Sequence, residues 1–264
     1  MTPLTITLKK KIKHRLDLRF LTCGNFKTIT SLKSFYLQYG NSRMKLSELF
    51  SIRGKDLKNI IIKSSSNMFD NVGYQMNNMD LTIYGNTGYS LGKEMISGTL
   101  KLYGNTSDNA CSGINGGQVY IMGNAGNYFC SKPVGLNEGM RDGFVFVKGS
   151  IGDNSIERMR RGTIVINGNV GSKCGYQMIS GTIVIKGKIN KDFCKEGKRG
   201  TIVTRDRKIK SLYNEVSANQ DFIWFFIKKI RDIYNINVIS QNNTIKRFFG
   251  DKSSSNMIEV FLVR

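Results

Sequence analysis

Basic residues recur at the starts of successive stretches of the chain: Arg141, Arg158, Arg160 and Arg161, then Lys198 and Arg199. Guanidinium and ammonium groups in one row hold carboxylates or phosphates, so the chemistry they offer is anion capture rather than bond making. Positions 160 and 198 lie 38 residues apart, two periods of the repeat described below, which spaces the charges ~10 Å along one edge. A solvated surface is the plainer alternative. Groups for catalysis or metal binding are sparse. His14 is the only histidine, no Cys-x-x-Cys pair occurs, and Cys23, Cys111, Cys130, Cys174 and Cys194 are five, an odd number. No metal site built by this chain alone is expected, no disulfide framework, and no catalytic residue.

The elements that must position these residues form a repeat. Met159-Arg-Arg-Gly-Thr-Ile-Val-Ile-Asn-Gly is echoed 19 residues on by Met178-Ile-Ser-Gly-Thr-Ile-Val-Ile-Lys-Gly. Starts fall at Leu57, Met76, Met95, Ile114, Met140, Met159, Met178 and Gly197, with one step of 26 where seven residues are inserted after Ile114. Position 4 is usually glycine, as is position 10, while positions 6 and 8 are apolar, as in Ile164/Ile166 and Ile183/Ile185. Alternate apolar residues predict a short strand with one buried face, and the Gly-Asn-x-Gly stretch after it predicts a sharp turn. Gly149-Ser-Ile-Gly152 and Gly168-Asn-Val-Gly171 look like phosphate cradles, but no helix follows them, so they read as turns. The recurrent Met at position 1 reads as an interior stack, and Cys111, Cys130 and Cys194 at position 17 as a small apolar ladder. The fold predicted is all-β: a parallel β-helix, or solenoid, of about eight 19-residue coils over residues 57–204. A small N-terminal cap (1–56) and a helix-plus-strand C-terminal cap (205–264) close its ends.

Position 7 should point outward, yet from the fourth repeat it is apolar: Tyr120, Phe146, Val165, Val184 and Val203. Such a stripe is covered by something, either the chain's own C-terminal helix or a sibling protein, and these five residues are the candidate partner interface. Forty Lys and Arg against 19 Asp and Glu leave a net charge of +21. This points either to a polyanionic partner or to a Lys-, Asn- and Ile-rich composition without further meaning. No recognition helix or aromatic ladder accompanies the charge, so nucleic acid is not expected as a partner. No apolar run approaches the ~18 residues of a membrane helix. Lys9-Lys10-Lys11 has no apolar stretch behind it, so a cytoplasmic protein without membrane association is expected.

The repeat Met-x-x-Gly-Thr-Ile-x-Ile-x-Gly resembles the glycine-repeat β-helix shared by two families. One is the C-terminal domain of the glutamate synthase large subunit. The other is the C-type subunit of formylmethanofuran dehydrogenase and of the related formyltransferase/hydrolase complex of methylotrophic bacteria. The opening Leu4-Thr-Ile-Thr-Leu8 with Arg15-Leu-Asp-Leu18, the basic Arg158-Met-Arg-Arg-Gly-Thr163, and the ending Phe249-Gly-Asp251 with Ile258-Glu-Val260 are similar to this second family. That resemblance implies a right-handed β-helix acting as a non-catalytic scaffold in one-carbon metabolism, in the bacterial branch that releases formate. It implies formyltransferase, amidohydrolase-like and B-type partners, with catalytic metals held by those other polypeptides. The complex's substrate would be a methanofuran-type coenzyme, whose acidic glutamyl tail would suit the basic edge; no cofactor is expected on this chain alone. A glutamate synthase-like module is the alternative reading, and a polyanion binder a distant third.

Overall fold

The Thr-apolar-x-apolar segments do form strands, each hydrogen-bonded to its counterpart one period away. A computed structural model describes residues 1–24, 26–217, 221–238, 243–253 and 256–264. The chain opens with β1 (Pro3–Leu8), β2 (Leu16–Asp17), the short helices α1 (Phe20–Cys23) and α2 (Ile29–Lys33), the hairpin β3 (Tyr36–Tyr39) and β4 (Ser42–Lys45), α3 (Leu46–Leu49) and β5 (Phe50–Arg53). The repeat supplies β6 (Asp56–Ser65), β7 (Phe69–Asp70), β8 (Met79–Gly85), β9 (Gly98–Tyr103), β10 (Gln118–Ile121), β11 (Phe144–Val147), β12 (Thr163–Ile166), β13 (Thr182–Ile185) and β14 (Arg199–Thr204). The chain closes with α4 (Ile209–Leu212), β15 (Tyr213–Val216), α5 (Asp221–Tyr234), β16 (Ile245–Asp251) and β17 (Met257–Val263). Residues 218–220, 239–242 and 254–255 of the expected C-terminal cap lie outside the described residues.

The all-β, right-handed parallel solenoid predicted above is corrected by this topology. Among the described residues, thirteen strands form one mixed, mostly parallel sheet in the order β15-β16-β17-β14-β13-β12-β11-β10-β9-β8-β6-β1-β5, with two small two-stranded sheets and a helical part. The period correctly places each repeat strand beside the next, as in Ile164↔Ile183 and Ile183↔Ile202. Two features escape it. The segments between the strands add only a row of single bridges, Thr87–Thr106–Ala125–Ile151–Val170, rather than further sheets. The flanks turn back on the sheet: β5 pairs antiparallel with β1, and β15, β16 and β17 form an antiparallel meander at the other edge.

Side chains alternate across the strands and split the sheet between two cores. Positions 6 and 8, such as Val145, Val147, Ile164 and Ile166, enter the larger core with the Met row, all of it fully buried. Met95, Met140, Met159 and Met178 each lie over the position-4 glycine of the next repeat. A Cβ on Gly162 would come within 2.6 Å of Met140 Cε and 2.7 Å of the Gly143 carbonyl, at a φ of +94°. Gly181 stands in the same relation to Met159, and Gly200 to Met178, so the paired Met and Gly of the motif are one packing unit.

The turns are tied by side chains as well as by backbone. Asn105, Asn124 and Asn169 each accept, through Oδ1, an N–H of the next repeat, from Asn124, Ser150 and Lys188 at 2.7–2.8 Å. A second column does the same through Asp70, Asp108, Asn127 and Asp153. Each such bond satisfies a donor that a sharp turn would leave unpaired.

Candidate functional site

The seven-residue insertion between β10 and β11 gathers part of the basic edge around itself. Glu138 of the inserted loop accepts from Arg160 Nη1 at 2.6 Å. Its Oε2 lies 3.5 Å from Arg141 Nε, an ion pair without hydrogen-bond alignment, while Arg141 Nη1 donates to Asn115 Oδ1 at 3.1 Å. Arg158 Nε donates to the Asn137 carbonyl, and its Nη1 to Gln177 Oε1 at 3.1 Å. Three of the six predicted cations are therefore brought together as anchors of the loop, and Glu138 neutralises two of them. Arg161, Lys198 and Arg199 stay exposed with no ion pair among the described residues, and Ile179-Ser180 interrupts the row between them. The continuous row of six becomes three anchored cations and three freer ones, Arg161 beside the cluster and Lys198 and Arg199 further along. Only the 26-residue step in the sequence hinted at the loop; nothing in it marked Asn137 or Glu138 as partners. The loop's tip is apolar and bare, with Val134 in full contact with water.

The outer stripe lies under the chain's own C-terminal helix. Val165, Val184 and Val203 are fully buried and Phe146 nearly so, against Ile223, Ile227 and Ile230 of α5. Tyr120 packs at the margin, its hydroxyl donating to Gln118 Oε1 at 2.8 Å, and Tyr234 at the helix end stacks on Phe144 with ring centroids 3.5 Å apart. Of the two coverings the sequence offered for this stripe, the chain's own helix lies over Phe146, Val165, Val184 and Val203, as the alternating pattern and the helical spacing of 221–234 require, while Tyr120 stays half-buried at the edge.

Two clefts flank α5. One, of ≈ 420 Å³, is lined by Trp224, Phe225, Ile227, Lys228, Arg231 and Val238. The other, of ≈ 340 Å³, lies over β10 to β13 and includes Tyr120, Phe146, Asn167, Lys186 and Tyr234. Burial pushes the Lys186 ammonium below its usual range, and its Nζ donates to the Asn237 carbonyl at 2.6 Å.

The remaining chemistry is muted by burial. Cys111, Cys130, Cys174 and Cys194 are fully buried and free, and desolvation pushes the thiols of Cys130, Cys174 and Cys194 well up, out of the nucleophilic range. Cys23 is exposed, its thiol donating to the Tyr74 carbonyl at 3.0 Å. Among the described residues no three His, Cys, Asp or Glu side chains come together to hold a metal ion, and no helix is long and apolar enough to cross a membrane.

A sheet laddered by glycine-turned repeats defines a recognisable class, and the chain belongs to the GXGXG motif family, whose model matches residues 49–258. No curated protein matches it. Among solved structures, its fold is similar to that of a polypeptide in the formyltransferase/hydrolase complex (FhcABCD) from Methylorubrum extorquens, crystallised with methylofuran. The two superpose with a TM-score of 0.82 over 98% of each chain, at 24% sequence identity.

Proposed function

We propose that this chain is the non-catalytic C-type subunit of a formyltransferase/hydrolase-type complex, which moves a formyl group through a methanofuran-type coenzyme and releases it as formate. The observation that carries the reading is coextension: the likeness of fold to a polypeptide of such a complex runs over 98% of both chains. The flanking segments that resemble the C-type family point the same way. So do the buried thiols, which are silent as nucleophiles. Its partners are then formyltransferase, amidohydrolase-like and B-type polypeptides, and they hold the reacting atoms.

Within this reading the basic edge guides the coenzyme's acidic tail. Arg161, Lys198 and Arg199 do so directly, because their charges are free. Arg141, Arg158 and Arg160 act by holding the inserted loop, since Glu138 and the Asn137 carbonyl engage them. The test is binding of a polyglutamylated methanofuran-type coenzyme to the assembled complex. Arg161→Glu with Arg199→Glu should weaken it about tenfold at low ionic strength, each exposed ion pair contributing up to about 1 kcal/mol. The difference should shrink as salt rises. Equal affinity at low salt would remove the edge from coenzyme handling and leave its charge compositional.

A further inference from the structure

We infer that the outer face of α5, not the stripe beneath it, is the seat of a sibling protein whose contact surface is apolar and rimmed by acidic groups; this rests on the complex proposed above. A helix apolar on one face needs one covering, whereas a helix apolar on both needs two. The inner line of α5, Ile223, Ile227 and Ile230, is buried on the sheet. A solvent-facing line about a third of a turn round the helix is also largely apolar, with Phe222 62%, Phe225 69% and Ile233 55% exposed. At helical spacing these three fall within one narrow arc, and Phe225 forms a wall of the ≈ 420 Å³ cleft beside the chain's only tryptophan, Trp224. A bare phenylalanine in the wall of a cleft, with a second exposed one a turn away at Phe222, is the size and kind of anchor on which protein interfaces concentrate their energy.

Charge selects the occupant. Lys228 and Lys229 stand beside this ridge, exposed and without an acidic partner among the described residues, while Arg231 is paired with Asp232 at 3.1 Å. A second copy of a chain of net charge +21 would bring cations against cations, so self-association is opposed. A lipid surface takes a helix by its larger apolar face, and here that face is already spent on the sheet. An acidic-rimmed protein surface fits both the ridge and the lysines.

The experiment co-expresses the full chain with the formyltransferase and amidohydrolase-like chains of its own host and follows co-elution by size exclusion and native mass spectrometry. Phe222→Ser with Phe225→Ser, and separately Lys228→Glu with Lys229→Glu, should each weaken association at least about tenfold. The isolated variants should keep the wild-type melting temperature, because the altered side chains face water. If the phenylalanine variant fails to fold, the lysine variant decides alone. Co-elution of the folded variants at wild-type strength overturns the inference and leaves the complex standing. Wild-type chain that binds no sibling overturns the proposed function and this inference together. Homodimers, or capture by mixed phosphatidylcholine and phosphatidylserine vesicles, that disappear in the variants while sibling binding persists would assign the face to another occupant and overturn it as well.

Discussion

At the scale of residues, the Met-x-x-Gly pairing is a steric contract between neighbouring repeats. Gly162→Ala forces a Cβ against Met140 and the Gly143 carbonyl at a φ of +94°. It should cost about 2 to 4 kcal/mol in urea unfolding. Gly135→Ala has a similar φ of +83° but nothing within 4 Å of its Cβ, so it should cost only about 1 kcal/mol. Similar losses at both sites would mean that backbone strain alone, not the Met contact, sets the cost. The glycines of position 4 were legible in the sequence because glycine tolerates both the contact and the angle, and those of position 10 because a Cβ there would strike the preceding repeat. Position 17 was not, because its left-handed φ is filled by Gly92, Cys111, Cys130 and even the β-branched Ile156, at φ +61°. Surrounding packing overrides local preference there, and residue type hides the geometry. The buried thiols carry a pH signature. The folded pKa values of Cys130, Cys174 and Cys194 are raised by burial, so the native state holds protons that the unfolded chain loses at about 8.5, the ordinary thiol value. The stability they contribute is full below that value and falls as pH rises above it. Melting temperature should decline through pH 9 and 10, and in the native protein only Cys23 should react with a thiol reagent. Fast labelling of Cys174 or Cys194 without unfolding would contradict the burial.

At the scale of elements, the strands were legible and their cover only half so. Alternation in Thr163–Ile166 or Thr182–Ile185 fixes which side chains share a face, and a 19-residue period fixes the neighbour. The outer apolar stripe told of a covering but not of its source, since an amphipathic helix on the same chain and a sibling protein bury valine equally well. The structure supplies the helix. Val165→Lys should therefore destabilise the folded chain by about 3 kcal/mol, through an unpaired charge pressed between sheet and helix. Trp224 emission should shift to the red as α5 loosens. A folded Val165→Lys variant of unchanged stability would mean that α5 does not hold the stripe closed. The basic edge behaves differently again. Its residues were found by spacing, yet spacing could not reveal that Glu138, from an insertion off the period, would claim Arg160 and Arg141.

At the scale of the whole molecule, periodicity described the interior and failed at the ends. Read alone, it leads to an all-β solenoid; the chain forms one mostly parallel sheet whose two edges are antiparallel and which a helix crosses. The reason is that repeat arithmetic constrains residues within 57–204, whereas sheet edges must be capped by sequence that does not repeat. Among the described residues, the features left outward include free cations at Arg161, Lys198 and Arg199, an apolar loop tip at Val134, and the ridge on α5. That inventory suits a part built to be assembled. Membership of such an assembly is tested most directly by purifying the tagged full-length chain from the cells that make it, at moderate salt, and weighing the intact assembly by native mass spectrometry. One stable complex containing formyltransferase and amidohydrolase-like chains is the expected result. Recovery of the chain alone, or with glutamate synthase components, would contradict it.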